Sequence, residues 1–523
     1  MITIKNNFMK LYRYYKDFGF IKTSRFLAKR YLNADRLQRL TPEKHAKLSR
    51  LRMKTSIPKR LKILLVNPPF HRLHGLEDVF FPIGLGYLAS MLDIHGFNVK
   101  IYNMENSREQ LPLKWSDRNL NQKLLTGYES YLKALEDVNH PVWHELREVL
   151  REEKPDVLGL TAKSPCYPSA KKVAALYKKS NPEGIAVLGG PHATLAADEV
   201  IQDGIFNFCV RGEGEQTFLD LCTVIENGTR QFSHIAGLSY PSNGVAHHTF
   251  NRGLQTNIDE FPFPAKDLSL FPERYPVGAM GHIISSRGCP FRCGYCAQDK
   301  LWSRKVRFQT TERTIAEIKE LKELYGISSF YFWDDSFTVN RKRIVNLCEA
   351  LIAQGISIIW NCTTRVDLVD EESLGIMYKA GCRNIDVGIE SGSERILKLI
   401  HKGITIDKVH ESIDMIKKAG IQCNAFFMLG FPDETEEDIR LTLDFIRSTK
   451  AGIIALSIFT PYPGCALFDR AKELSLLPDK INWAELSHHS AKNYFVKNLS
   501  RERFQEYVME AAALVDRHNH AIS

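Results

Sequence analysis

Three cysteines fall within eight residues, Cys289-Pro-Phe-Arg-Cys293-Gly-Tyr-Cys296. A spacing of three residues and then two lets one loop wrap its thiolates around a single inorganic cluster. A cube of four irons normally takes four cysteine thiolates; a local set of three leaves one iron open, and an open iron can hold a substrate rather than only pass electrons. The flanking residues suit such a loop. Gly281-His-Ile-Ile-Ser-Ser286 reads as a strand ending in Arg287-Gly288, Gly288 and Pro290 force the turn, and Tyr295 sets a ring beside the third thiolate. A structural zinc site usually needs a fourth Cys or His at matched spacing, and the next cysteine, Cys348, stands unpaired in a helical stretch. An odd total of eleven cysteines, with no secretory leader ahead of them, argues against disulfides. Cys166, Cys209, Cys222, Cys348, Cys362, Cys382, Cys423 and Cys465 lie among apolar neighbours and read as small buried hydrophobes. A reducing, cytoplasmic setting is expected, as an oxygen-sensitive cluster requires.

The pattern C-x3-C-x2-C with an aromatic before the last cysteine resembles the radical S-adenosylmethionine (SAM) enzymes. The resemblance implies that Cys289, Cys293 and Cys296 hold a 4Fe-4S cluster and form the catalytic centre, with the amino and carboxylate groups of SAM on the open iron.

Downstream of the cysteines, short strands alternate with helices. Strands are expected at Ser329–Trp333, Ser357–Cys362, Asn384–Ile389, Asn424–Leu429 and Gly452–Phe459, with helices near Thr311–Tyr325, Arg341–Ala353, Glu371–Ala380, Asp407–Ala419 and Glu434–Arg447. With the cluster strand this makes six strand–helix units, a partial barrel over residues 281–475. Parallel barrels do chemistry at the carboxyl ends of their strands, where Asp334, Asp335, Arg365, Asp367, Glu390, Ser391 and Gly430-Phe-Pro-Asp-Glu434 fall. By resemblance, Glu390 and Ser391 match a G-x-E-S-G segment near the ribose and methionine of SAM, and Gly430 a glycine motif near the adenine. The family's Gly-Gly-Glu is here Trp333-Asp334-Asp335, which leaves two readings: an aspartate that accepts from the SAM amino group, or an internal Asp335–Arg365 ion pair.

Ahead of the barrel, residues 62–230 alternate in the same way, with strands at Ile63–Val66, Phe97–Ile101, Val157–Leu160, Ala186–Leu188 and Phe208–Val210. Such alternation predicts an α/β fold with a doubly wound parallel sheet, whose ligands sit beyond the carboxyl ends of the strands. Those ends carry Asn67 and Pro68, Thr161 to Ser164, Gly189 and Gly190, then Gly212 and Glu213. No G-x-G-x-x-G follows the first strand, so the dinucleotide fingerprint is absent. Together with the cluster, Asn67-Pro-Pro69, Pro82-Ile-Gly-Leu-Gly-Tyr-Leu88, Gly189-Gly-Pro-His192 and Arg211-Gly-Glu-Gly-Glu215 resemble the cobalamin-binding domain of one large branch of the radical enzymes, which includes radical methylases and cyclases. The resemblance implies that these loops bind cobalamin. The D-x-H-x-x-G of mutase-type domains is missing, and His71, His74 and His192 read as polar loop residues rather than cobalt ligands.

Residues 231–280 form a connector with a hairpin turn at Asn243-Gly244, and 476–523 a helical tail that caps the barrel or lines its entrance. Residues 1–60 carry 17 Lys and Arg against three acids, more than the whole-chain excess of +9, so the remainder is net acidic. Their aromatics either pack on the body or, with the lysines, touch an anionic membrane surface. Nothing in the chain is apolar for long enough to span a bilayer.

The expected chemistry is one-electron cleavage of SAM to a 5′-deoxyadenosyl radical, hydrogen abstraction, and methylation of an unactivated carbon (or phosphorus) of a small-molecule or lipid-like substrate. A second SAM would remethylate cobalamin. An external flavodoxin or ferredoxin would supply electrons, and no nucleic acid partner is expected. Three other readings stay open: oxidative cyclisation or rearrangement with the same cofactors, a methylthiotransferase using Cys166, Cys209 and Cys222 for a second cluster, and a non-catalytic cobalamin-binding or electron-carrying protein.

Overall fold

The computed structural model describes residues 60–75, 80–107 and 120–522; the basic segment 1–60 lies outside them except for Arg60. Two sheets organise the chain. The first comprises β1 (Lys62–Asn67), β2 (Asn98–Asn103), β3 (Val157–Thr161), β4 (Ile185–Gly189), β5 (Phe208–Val210), β6 (Leu238–Ser242) and β7 (Val245–His248), in the order β2-β1-β3-β4-β5-β6-β7. β1 to β5 are parallel. Their nearly continuous apolar runs follow from helices covering both faces: Leu64, Val66, Leu158 and Leu160 enter one core, and Ile63, Leu65, Val157 and Val187 the other. The second of these cores runs on without a break into the barrel.

The connector differs from expectation at its start. β6 joins the first sheet antiparallel to β5 and β7 antiparallel to β6, so the domain's sheet continues past residue 230. Their two-residue turn puts both Asn243 and Gly244 at positive φ, as the right-handed twist of a hairpin requires.

The second sheet is the partial barrel. It comprises β8 (His282–Ile283), β11 (Ser329–Phe332), β12 (Ile359–Arg365), β13 (Cys382–Glu390), β14 (Gln422–Leu429) and β15 (Ile454–Ile458), all parallel and in that order across the sheet. The cluster strand is shorter than its apolar run suggested. After Ile283 the chain leaves the sheet, and β9 (Ser286–Arg287) pairs antiparallel with β10 (Arg307–Phe308). Gly288 then turns at φ +102, where a Cβ would lie 2.1 Å from the Lys305 carbonyl. Only glycine fits that turn.

Along β12 and β14 the side chains under the helices are buried, whereas Asn361, Thr363, Asn424, Phe426 and Met428, on the other face, retain accessible surface. Six strands therefore enclose a hollow rather than a packed interior. The last helix, Arg501–Ile522, seals the open edge at β15. Asn519 accepts from the Ile454 N–H and donates to its carbonyl, both at 2.8 Å, replacing a missing neighbour strand. The tail thus closes an edge and reaches the first domain, where Asp516 accepts from Asn121.

Candidate active site

The three cysteines occupy one half-buried loop, while most of the other cysteines are fully buried. The loop is pinned at its middle: Gly294 donates to the Ile400 carbonyl at 2.8 Å and accepts from the Leu467 N–H at 2.9 Å. Asp335 holds its start, accepting from the Gly288 N–H at 3.1 Å and from Gln298 at 2.6 Å. Burial raises the Cys289 thiol, pushes Cys296 up to about 12 and lifts Asp335 to about 6. Bare thiolates are costly here, so binding metal would release protons from the loop. Among the described residues no three His, Cys, Asp or Glu side chains converge on one point. A cube binds each thiolate at a different iron, so a splayed set on one loop fits it.

The loop is tied to the barrel through Glu390. Tyr295 donates to Glu390 at 2.7 Å, and Lys402, buried, pairs with the same oxygen at 2.7 Å and reaches the tyrosine oxygen at 3.1 Å. Glu390 stands at positive φ, where β13 shifts register against β14. Gly388 makes the arrangement possible, since a Cβ there would lie 2.3 Å from the Glu390 carboxylate and 2.9 Å from the Lys402 ammonium. The Lys402 carbonyl in turn accepts from Arg365 at 2.6 Å, and Arg365 reaches the Cys293 sulfur at 3.8 Å. Tyr295, Glu390, Lys402 and Arg365 form one circuit around the thiols.

Several expected site residues are committed elsewhere. Asp334 turns inward, accepting from the Ser285 N–H and from the hydroxyls of Ser285 and Ser286 at 2.7–2.8 Å, and so fixes the chain where it leaves β8. The Asp335–Arg365 pair does not form; Arg365 grips Asp367 through two nitrogens. Ser391 is buried against Thr442 at 3.0 Å. Gly430 donates its N–H to Glu434 at 2.5 Å, and burial drives that carboxyl up to about 8.

In the first sheet, Asn67 ends β1 and donates to Asn103 at 2.8 Å, with Pro68 buried beside it. Ser164 bonds the buried His192 at 3.0 Å. At Gly190 a Cβ would meet Thr161 at 2.7 Å, so that glycine closes two loops together. A Cβ at Gly189 would meet Leu160 and Val210 at an ordinary 3.9 Å, and one at Gly212 would meet nothing within 4 Å. Glu213 is the clear correction. It is buried and spans the domains, pairing with Arg287 and Arg307 at 2.8 Å, while Glu215 takes the other arm of Arg287 at 2.7 Å. Cys209 and Cys222 fall in the two separate cores, so the three cysteines of this domain cannot share a second cluster.

Residues 283–446 match the model of the radical SAM superfamily, and residues 126–222 that of the B12 binding domain. An uncharacterised methyltransferase of Pyrococcus horikoshii is 33% identical over 432 residues, covering 81% of this chain and 86% of the relative. The chain belongs to the cobalamin-binding radical SAM enzymes. The anaerobic magnesium-protoporphyrin IX monomethyl ester cyclase of Rubrivivax gelatinosus is 29% identical over 335 residues, 62% of this chain and 60% of the cyclase. The radical SAM methyltransferase TsrM of Kitasatospora setae, solved with tryptophan and a SAM analogue, shares the fold at a TM-score of 0.61 and 17% identity, covering 80% and 77% of the two chains.

A radical SAM enzyme of this branch uses a 4Fe-4S cluster, SAM and cobalamin; the three thiols would hold the cluster, and the loops after β1, β3, β4 and β5 would take the cobalamin. Sequence reasoning missed Lys402 and Arg287. Lys402 sits between the short helix Glu394–Leu399 and the next, in a stretch with no motif. Arg287 was visible as the residue before the turn, but only the fold shows the two carboxylates waiting for it.

Proposed function

We propose that this radical SAM enzyme methylates an unactivated carbon (or phosphorus) of a small-molecule or lipid-like substrate, in the cytoplasm, with a flavodoxin or ferredoxin as electron donor. The observation that supports the reading is Arg287, which bonds the cobalamin-domain carboxylates Glu213 and Glu215 one residue before the cluster turn and so ties the two domains together beside the three thiols. When bound, the cluster supplies one electron for cleavage of SAM to a 5′-deoxyadenosyl radical, and cobalamin supplies a methyl group. The chain's own part is to hold them. Tyr295, Glu390 and Lys402 brace the cluster loop; by resemblance, Glu390 would face the methionine end of SAM and Gly430 the adenine. Contact of residues 1–60 with an anionic membrane belongs to the same proposal and would bring a lipid-like substrate to the cleft. Among the described residues no helix is long and apolar enough to cross a membrane.

The likeness to the protoporphyrin ester cyclase supports a second reading, oxidative ring closure without methyl transfer. Anaerobic assay of the reconstituted enzyme with SAM and a strong reductant, with and without cobalamin, separates the two. Both 5′-deoxyadenosine and cobalamin-dependent S-adenosylhomocysteine are expected. Deoxyadenosine alone would favour cyclisation, and Cys293→Ala should abolish 5′-deoxyadenosine; retained deoxyadenosine would remove the cluster from the mechanism.

A further inference from the structure

The hollow of the barrel has a polar floor that none of the motifs accounts for. Across β11, β12, β13 and β14, Tyr331 pairs with Asn361 and Asn361 with Asn384, while Thr363 pairs with Asp386 and Asp386 with Asn424. All six sit on the face away from the helices. Asp386 is the centre: only 7% exposed, it accepts from Tyr331 at 2.5 Å, Asn384 at 2.7 Å and Asn424 at 2.8 Å. Among the described residues no cation pairs with it, and burial raises its pKa. The amide oxygens of Asn361 and Asn384 are buried with no partner.

A buried carboxylate normally has a counter-ion or a full set of donors, since an uncompensated charge in a low-dielectric site is expensive. Here the donors of Tyr331, Asn384 and Asn424 are already aimed at Asp386, and the oxygens left over can only accept. Such a floor is complementary to N–H or O–H groups and hostile to carboxylate or phosphate. Beside it stands an aromatic wall. Trp333 donates to His282 at 3.0 Å, Tyr331 lies 4.7 Å from the Trp333 ring, and Phe80 comes from the cobalamin domain to within 4.7 Å of His282 and 5.5 Å of Trp333. Phe80 and Trp333 remain 42% and 43% exposed, which is unusual for rings held between two domains. Asp386 lies four residues before Glu390 on β13, so the floor sits deeper in the sheet than the expected SAM end.

The geometry points to Asp386, with Asn361 and Asn384, as the group that selects substrate: an amine-bearing small molecule with an apolar or aromatic body, its ammonium on the floor and its body against Phe80 and Trp333. This rests on the reading of the barrel as the radical active site.

The test uses the full chain with its cluster reconstituted and two probes of nearly equal size, phenethylamine and 3-phenylpropionate, titrated calorimetrically. Phenethylamine should bind at least about tenfold more tightly, the scale of one charge-assisted hydrogen bond. Asp386→Asn should erase the preference, with its urea midpoint and iron per chain compared with the parent to show that the variant is folded and loaded. Equal binding of the two probes, no binding of either, or a preference that survives Asp386→Asn would overturn the inference. Deoxyadenosine formation is followed in the same preparations. Cleavage of SAM without an amine preference overturns the floor alone, and absence of cleavage overturns the reading on which it rests.

Discussion

Arg287 offers the sharpest test of how the two domains are joined. Its guanidinium is buried, bonded at 2.8 Å to Glu213 and 2.7 Å to Glu215, and stacked 4.8 Å from Tyr87 and 4.5 Å from Phe261. In Arg287→Met the flexible side chain keeps much of the contact with the two rings, and Glu213 keeps Arg307 at 2.8 Å and the Gln255 N–H at 2.9 Å. Glu215, only 7% exposed, loses its guanidinium. Removing one partner of a buried pair costs about 3–5 kcal/mol, most of it the charge left behind. Glu215→Gln alone should cost less, because Arg287 retains Glu213. If the stranded carboxylate dominates, the double variant Arg287→Met with Glu215→Gln should be more stable than the sum of the single effects by about 2 kcal/mol or more. Urea titration followed by the cluster's charge-transfer absorbance reads the loss at the cluster loop, and iron per chain reads loading. Effects additive to within about 0.5 kcal/mol, or a cluster as resistant to urea in Arg287→Met as in the parent, would refute the coupling.

Gly388→Ala should be far worse than an ordinary strand substitution, since the methyl must displace Glu390 or Lys402; a loss of about 1–3 kcal/mol with weaker SAM binding by equilibrium dialysis is expected. Glu434 sets a pH signature. Its carboxyl rises on folding to about 8 through burial, so between about pH 5 and 8 the native state holds a proton that the unfolded chain has released. Stability should therefore fall as pH climbs through that window, by at most about 1.4 kcal/mol per unit, and level off above it; Glu434→Gln should flatten the slope in urea midpoints taken at several pH values. Asn519→Leu strips both bonds from Ile454 and should lower the urea midpoint, with faster hydrogen exchange at the β15 amides as its mark.

The alternation of apolar strands and helices was legible because parallel strands buried on both faces leave continuous apolar runs, and β5 (Phe208–Val210) matches its expected limits. The cluster loop was legible because three thiols at fixed spacing carry their chemistry locally. Side-chain direction was not. Asp334 and Asp335 are neighbours in sequence, yet one faces the serines after β8 and the other the cluster turn, a split set by where the chain leaves the sheet at Ile283. Glu213 looked like a ligand because glycines flank it; its true partners lie 74 and 94 residues away, and no local pattern reveals them. The same limit hid Lys402, whose role depends on the positive φ of Glu390 twelve residues earlier.

Three separate ties hold the carboxyl ends of the two sheets to one cleft. Arg287 and Arg307 clamp the loop after β5; Phe80 crosses to Trp333 and His282 at the β8 edge; the tail runs from β15, where the Ile458 N–H donates to the His488 carbonyl, to the cobalamin domain, where Trp483 donates to Glu199 at 2.8 Å and packs 5.4 Å from His192. They approach the cleft from different sides, and one core is continuous beneath them. A hinge between the sheets would have to break a buried ion network and an edge strand's cap together.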